Sequence, residues 1–230
     1  MAPSRLTRPG WLILGVAGLV LLLFVGVPRA VRRMDFFRVS KVDVRGLANL
    51  RAADVVRVLP IPKGMNLFDD LDRVQRAADS IPGLADVVVS RRLPGTLVVT
   101  VREAPPVALV MRKGQLRLLG EDARVLPFDP TVSAPDLPIV KEADSLVTRL
   151  LARVREVDVT LFSNVVTGWR AGDDVVLAVK GQRYWFRPDA PAEVIRAVTL
   201  VAQDLDRKGR PYADLDARFA GQVVVRWGAA

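Results

Sequence analysis

From Trp11 to Val27 the chain reads WLILGVAGLVLLLFVGV, seventeen residues without a charged or strongly polar side chain. As a helix rising ~1.5 Å per residue, that run covers roughly 26 Å, close to the ~30 Å thickness of a hydrocarbon core. Arg8 and Arg29 flank it and can snorkel, and Trp11 suits an interfacial position. The apolar region of a cleaved signal peptide would be shorter, and the following VPRAVRR lacks a small-x-small cleavage site. The pattern therefore predicts a transmembrane helix within residues 11–30, behind a tail of residues 1–10, with Trp11 to Val27 in contact with membrane lipid.

The pattern then switches to period two. Val42 and Val44 point one way and Asp43 and Arg45 the other, ending at Gly46. Asn49 to Leu59 has helical spacing, with Ala52, Val55, Val56 and Leu59 on one side and Pro60 as the stop. After PIPKGMNLF a second helix follows, started by Asp69 or Asp70 and striped by Leu71, Val74, Ala78 and Ile81; Pro82-Gly83 ends it. Two strands, Ala85 to Arg92 and Thr96 to Arg102, join through Leu93-Pro94-Gly95. Leu97, Val99 and Val101 share one face of the second. The order β-α-α-β-β is that of a compact α+β unit with both helices on one sheet face.

Glu103 to Pro106 forms a Pro-containing hinge into a second, strand-rich region. Strands are expected at Val107–Met111, Leu116–Leu119 and Arg124–Pro127, then a Pro-studded loop through Pro138. A helix over Ala143–Arg155 would face Leu146, Leu150, Leu151 and Val154 inward. Strands follow at Val157–Leu161, Val165–Trp169, Val175–Val179 and Arg183–Phe186, with turns at AGDD and KGQ. Asp189 and Pro191 open a second helix with the stripe Val194, Val198, Val201 and Leu205, ending at Gly209. A last strand runs from Gln222 to Trp227. The expectation is thus α+β, with a domain at 36–106 and a mixed β-rich domain with two helices at 107–230.

Charge sharpens this division. The net charge is +9, yet residues 1–41 hold seven basic residues against one acidic, leaving the body at only +3. A basic pI raises nucleic acid as a partner, but the nearly balanced body has no Arg-rich recognition helix or aromatic–basic platform, so none is expected. Arg5, Arg8 and the α-amino group before the span are matched by Arg29, Arg32 and Arg33 after it, and the flanking charges set no orientation.

The chain contains no His and no Cys. That excludes thiol redox chemistry, disulfides, Cys/His zinc sites and His-based triads. Asp69, Asp70 and Asp72 form a carboxylate cluster, but acids in a first helical turn are what the macrodipole favours. Glu121-Asp122 and Asp173-Asp174 fall at turns, and no serine has nucleophile context. No catalytic residue, cofactor or metal is expected, and neither is an enzyme.

Taken in order, FFRVSKVDVRG, GMNLFDDLD and IPGLADVVVSRRLPGTLVVTVREAPPVALV resemble the POTRA domain of the FtsQ/DivIB cell-division proteins. The most telling part is Arg91 to Leu97, with Val99, Val101, Glu103 and Pro106-Val107-Ala108 behind it. LDARFAGQVVVRW is similar to that family's closing strands, with Leu215-Asp216, Arg218, Phe219 and Trp227 in register. The resemblance implies a single-pass protein of the cytoplasmic (inner) membrane with its N-terminus in the cytoplasm. Its POTRA and β-rich domains would lie outside, at the division septum. It implies a non-enzymatic divisome scaffold that binds FtsB/FtsL-type (DivIC-type) partners and links early to late septal components. In register with the family's binding strand, Arg218, Phe219, Gly221, Val223, Val225 and Trp227 become the expected partner-binding residues, with strand addition at a free sheet edge as the mode.

Two other readings differ in kind. A membrane-tethered POTRA module assisting protein export or outer-membrane assembly shares the βααββ unit, though such proteins usually carry tandem POTRA units before a long barrel. An anchored envelope hydrolase would have to use paired carboxylates such as Asp69, Asp72 and Asp174.

Overall fold

The computed structural model describes residues 9–21, 24, 35–133 and 136–228. Pro9–Leu21 (α1) is helical, and its described side chains are exposed. The rest of the expected membrane span, Phe24 aside, lies outside the described residues, as does most of the expected tail. Among the described residues no helix is long and apolar enough to cross a membrane.

The chain divides into two compact units. The first takes the stretch up to Leu47 with Arg51–Ile81 and Asp86–Arg102; the second takes Ala48–Leu50, Pro82–Ala85 and everything from Glu103.

In the first unit Lys41–Arg45 (β1), Ala52–Val58 (α2), Asp72–Asp79 (α3), Leu84–Arg92 (β2) and Thr96–Glu103 (β3) follow one another as the pattern predicts. The sheet order is β1-β3-β2, with β1 parallel to the central β3. Leu97, Val99 and Val101 of β3 are all buried, as are Val55, Leu71, Val74, Ala78 and Ile81 from the helical segments. Each buried Leu, Ile or Val side chain here contributes ~1.5–3 kcal/mol. Gly46 closes β1 with φ +87°, where a Cβ would run into the Val101 carbonyl oxygen, so glycine is required there. Asp70 Oδ1 accepts from the amide of Asp72 at 3.0 Å, and Asp69 Oδ2 accepts from the amide of Asn66 at 2.8 Å. These two carboxylates serve their own turns.

The first helix starts at Ala52, not at Asn49. The Ala48, Asn49 and Leu50 amides each donate to the Glu103 carboxylate at 2.9 Å, and this ties the segment down outside a helix. Burial pushes the Glu103 carboxyl up, but those three N–H groups outweigh it and hold it below its ordinary value.

The second unit is built on an eight-stranded mixed sheet. Its strands are Ala108–Arg112 (β4), Gln115–Leu119 (β5), Ile139–Val140 (β6), Val165–Ala171 (β7), Asp174–Val179 (β8), Gln182–Phe186 (β9), Asp214–Asp216 (β10) and Val224–Arg226 (β11). Across the sheet they lie in the order β11-β10-β9-β8-β7-β6-β4-β5. The helices are Pro130–Ser133 (α4), Ser145–Val157 (α5), Val159–Asn164 (α6) and Ala192–Arg207 (α7), four where two were expected. Leu150, Leu151 and Val154 of α5 and Ile195 and Val198 of α7 share one core with Val175, Leu177, Phe186 and Leu215 of the sheet.

Two expected strands fail here, and one short strand appears that the pattern did not announce. Val157–Leu161 alternates like a strand but is a helical corner. Asp158 ends α5 and caps α6, its Oδ1 accepting from the Leu161 amide at 2.9 Å, while Leu161 and Phe162 enter the core. Arg124–Pro127 reduces to a single bridge, Leu119 with Val125. The loop ending at Pro138 leads straight into β6, a two-residue strand parallel to β4 on one side and β7 on the other. The last strand is also shorter than expected, Val224–Arg226 rather than Gln222–Trp227.

Candidate functional site

The chain crosses from β9 through α7 to β10, which runs parallel to β9, and then turns back as β11, antiparallel to β10. The register pairs Asp214 with Arg226, Leu215 with Val225 and Asp216 with Val224. Leu215 is fully buried, and period two places Asp214 and Asp216 on the other face. Among the described residues no strand lies beyond β11. The Arg226 carbonyl faces β10, where the Ala213 amide donates to it at 2.9 Å. Alternation then turns the N–H and C=O of Val225 away from β10, toward the open edge.

Between β10 and β11 the chain loops out through residues 217–223. Gly221 is at φ +74°, and the Gln222 amide returns to the Phe219 carbonyl at 3.4 Å. The loop and the first half of α7 enclose a groove of about 1040 Å³. Its α7 wall has Glu193, Val194, Ala197 and Val201, and its loop wall includes Arg218, Phe219, Gly221 and Val223. Phe219 is 45% exposed, Val224 38% and Trp227 56%. So many large apolar side chains left open around one short strand are what an interaction edge presents.

Beneath the edge lies an ionic network. Arg218 donates from Nε to Asp216 Oδ1 at 2.7 Å, from Nη2 to Asp216 Oδ2 at 2.6 Å, and from Nη1 to Asp174 Oδ2 at 2.8 Å. Its guanidinium also lies over the Trp185 ring, 4.8 Å from the centroid. Arg226 Nη2 donates to Asp216 Oδ2 at 2.9 Å. Arg183 binds Asp214 through Nε at 2.6 Å and Nη2 at 3.0 Å. The hydrogen bonds from Arg218, more than any other influence, hold the Asp216 carboxyl below its ordinary value and push the Arg218 guanidinium up.

Of the residues expected from sequence, Arg218, Phe219, Gly221 and Val223 gather at the groove. Val223 and Val225 pack their side chains against the core, Trp227 lies exposed beyond β11, and Arg218 is engaged within the chain. Periodicity alone assigns Val194 and Val201 of the α7 wall to the core stripe. Both are only half-buried, and the helix's buried stripe is Ile195, Val198, Ala202 and Leu205. The signal for this wall is an apolar arc too wide for one buried stripe, since Val194, Ala197, Leu200 and Val201 flank it. Among the described residues no group of three acidic side chains is arranged to hold a metal ion.

A βααββ unit is thus followed in the chain by a sheet that ends, among the described residues, in a short open strand. The sequence pattern described as POTRA domain, FtsQ-type, matches residues 37–104. The cell division protein FtsQ of Myxococcus fulvus is 35% identical over 113 residues, 47% of this chain and 38% of that protein. FtsQ of Caulobacter vibrioides is 30% identical over 109 residues, 45% of this chain and 35% of its own. FtsQ of Alcanivorax borkumensis is 23% identical over 96% of this chain and 87% of its own. The first two matches thus span little more than a third of those relatives' length. Among solved structures, the major extracytoplasmic domain of the cell division protein DivIB from Geobacillus stearothermophilus matches 46% of this chain and 96% of its own, at 19% identity and a TM-score of 0.33. Residues 37–104 thus match the FtsQ-type POTRA domain, and the chain is similar to cell division proteins FtsQ.

Proposed function

We propose that the protein is a bitopic scaffold of the bacterial divisome, anchored by Trp11 to Val27, with both folded units outside the cytoplasmic membrane and its N-terminus inside. It carries out no catalysis. An FtsB/FtsL-type (DivIC-type) partner adds a strand to β11, pairing with the outward N–H and C=O of Val225, and its alternate side chains meet Phe219, Val223, Val224 and Trp227. The protein thereby links early and late septal components.

The observation that carries this reading is the position of β11: last in the sheet order, with exposed Phe219, Val224 and Trp227 around it. A free edge of this kind is usually blunted in proteins that do not use it. The test is affinity purification of the full chain from its native membrane with identification of the co-purifying chains, alongside imaging of a fluorescent fusion. Recovery of an FtsB- or FtsL-type protein and a signal at midcell are expected. An evenly distributed membrane signal during constriction would refute the assignment.

A further inference from the structure

We infer that Asp216 is the positioning residue of the docking edge, the carboxylate that fixes both the 217–223 loop and β11 through Arg218 and Arg226. The inference rests on the reading of β11 as the strand a partner joins.

Apart from its ladder to β10 and the partial packing of Val223 and Val225 against the core, β11 is lightly held. It is three residues long and paired on one side only, and such edges open at low free-energy cost. Within the loop before it, Phe219 is nearly half-exposed, and core packing is confined to the loop's two ends at Ala217 and Val223. Asp216, by contrast, has a wholly buried side chain on β10. Its Oδ1 accepts from Arg218 Nε at 2.7 Å and from the Arg218 amide at 3.3 Å. Its Oδ2 accepts from Arg218 Nη2 at 2.6 Å, on the loop side, and from Arg226 Nη2 at 2.9 Å, on the edge strand. The Arg218 Nη1 bond to Asp174 carries the same tie across to the start of β8.

Neither arm can swing away cheaply, because a buried carboxylate stripped of its guanidinium is strongly destabilising. Arg218 therefore acts through the loop, with Nε, Nη1 and Nη2 all engaged inside the chain. Asp216 touches no partner. It raises affinity by ordering in advance a segment that would otherwise have to be ordered during binding.

The experiment is hydrogen–deuterium exchange on the full chain in detergent micelles, comparing wild type with Asp216→Asn and Arg226→Gln, together with the affinity of each for the host's FtsB-type protein. Asp216→Asn keeps the shape and removes the charge. Amides of residues 218–226 are expected to exchange about tenfold faster and affinity to fall about tenfold, the worth of one charge-assisted hydrogen bond. Amides of α7 and β8 stay unchanged. Arg226→Gln, which leaves the Arg218 arm in place, should accelerate β11 alone and carries the test if Asp216→Asn does not fold. Unchanged exchange over 218–226 in both variants overturns the inference. Faster exchange with undiminished partner binding would instead overturn the reading of β11 as the docking edge.

Discussion

The hydroxyl of Thr199 on α7 donates a 2.7 Å hydrogen bond to Oδ2 of Asp158, the residue that both ends α5 and starts α6. One residue thus joins three helices, its other carboxylate oxygen accepting from the Leu161 amide of α6 and its own amide donating to the Val154 carbonyl of α5. Asp158→Ala removes a helix cap and a half-buried hydrogen bond together. It should lower the unfolding free energy by about 2 kcal/mol in urea titration. Thr199→Val removes only the hydroxyl's bond and should cost less. Equal effects would show that the cap contributes nothing.

Gly46 carries a prediction for the POTRA unit. At φ +87° with the Val101 carbonyl in the way, Gly46→Ala must both strain the backbone and push β1 from β3. A loss of at least about 2 kcal/mol is expected, seen as faster amide exchange in residues 41–45 and 96–103. Exchange indistinguishable from wild type in those strands would contradict it.

The edge itself is tested by removing it. Deleting residues from Gly221 onward, or Trp227→Asp, should abolish capture of the proposed FtsB-type partner while exchange protection in the POTRA strands is retained. Unchanged capture by the truncated chain would refute strand addition at β11.

The groove is separable from the edge. Ala197→Arg on α7 places a charge against the apolar wall without touching β11. If partner side chains seat there, affinity should fall about tenfold or more, the scale set by one apolar anchor at an interface. Wild-type affinity would confine docking to the strand.

Acid should loosen the protein in a defined window. Asp216 and Glu103 are both held below their ordinary values of 3.8 and 4.5. A carboxyl depressed in the folded state stabilises fully above its unfolded pKa, and that stabilisation is lost as pH falls through the folded one. Urea midpoints should therefore hold steady from pH 7 to about 5 and drop below about 4, with roughly 1–3 kcal/mol at stake per hydrogen-bonded carboxylate. Asp216→Asn and Glu103→Gln should each flatten the decline. A slope equally steep in both variants would assign it to other groups.

Much of the POTRA unit is legible in the sequence because its signals are local. The stripe Leu71, Val74, Ala78 and Ile81 and the alternation of Leu97, Val99 and Val101 each fix an element by periodicity alone, and all seven side chains are buried. Val157 to Leu161 misleads because five residues of alternation also fit a helical corner, and only the cap geometry at Asp158 separates the two. β6 has two residues and no pattern; it is a strand because β4 and β7 flank it. At the candidate site, period two marks the valines of the last strand, whereas the half-open α7 wall depends on which neighbour covers Val194 and Val201.

Composition and pattern by themselves determined that the chain has one long apolar run, a βααββ unit, a β-rich remainder, and neither His nor Cys. These follow from residue chemistry and from spacings of two or three to four residues. Only the tertiary structure decided that β11 is last in the sheet among the described residues, that Arg218 turns inward to Asp216 and Asp174, and that Phe219 and Trp227 remain outside. Strand order and side-chain partnership join residues tens of positions apart, and their energies depend on desolvation that no local window contains.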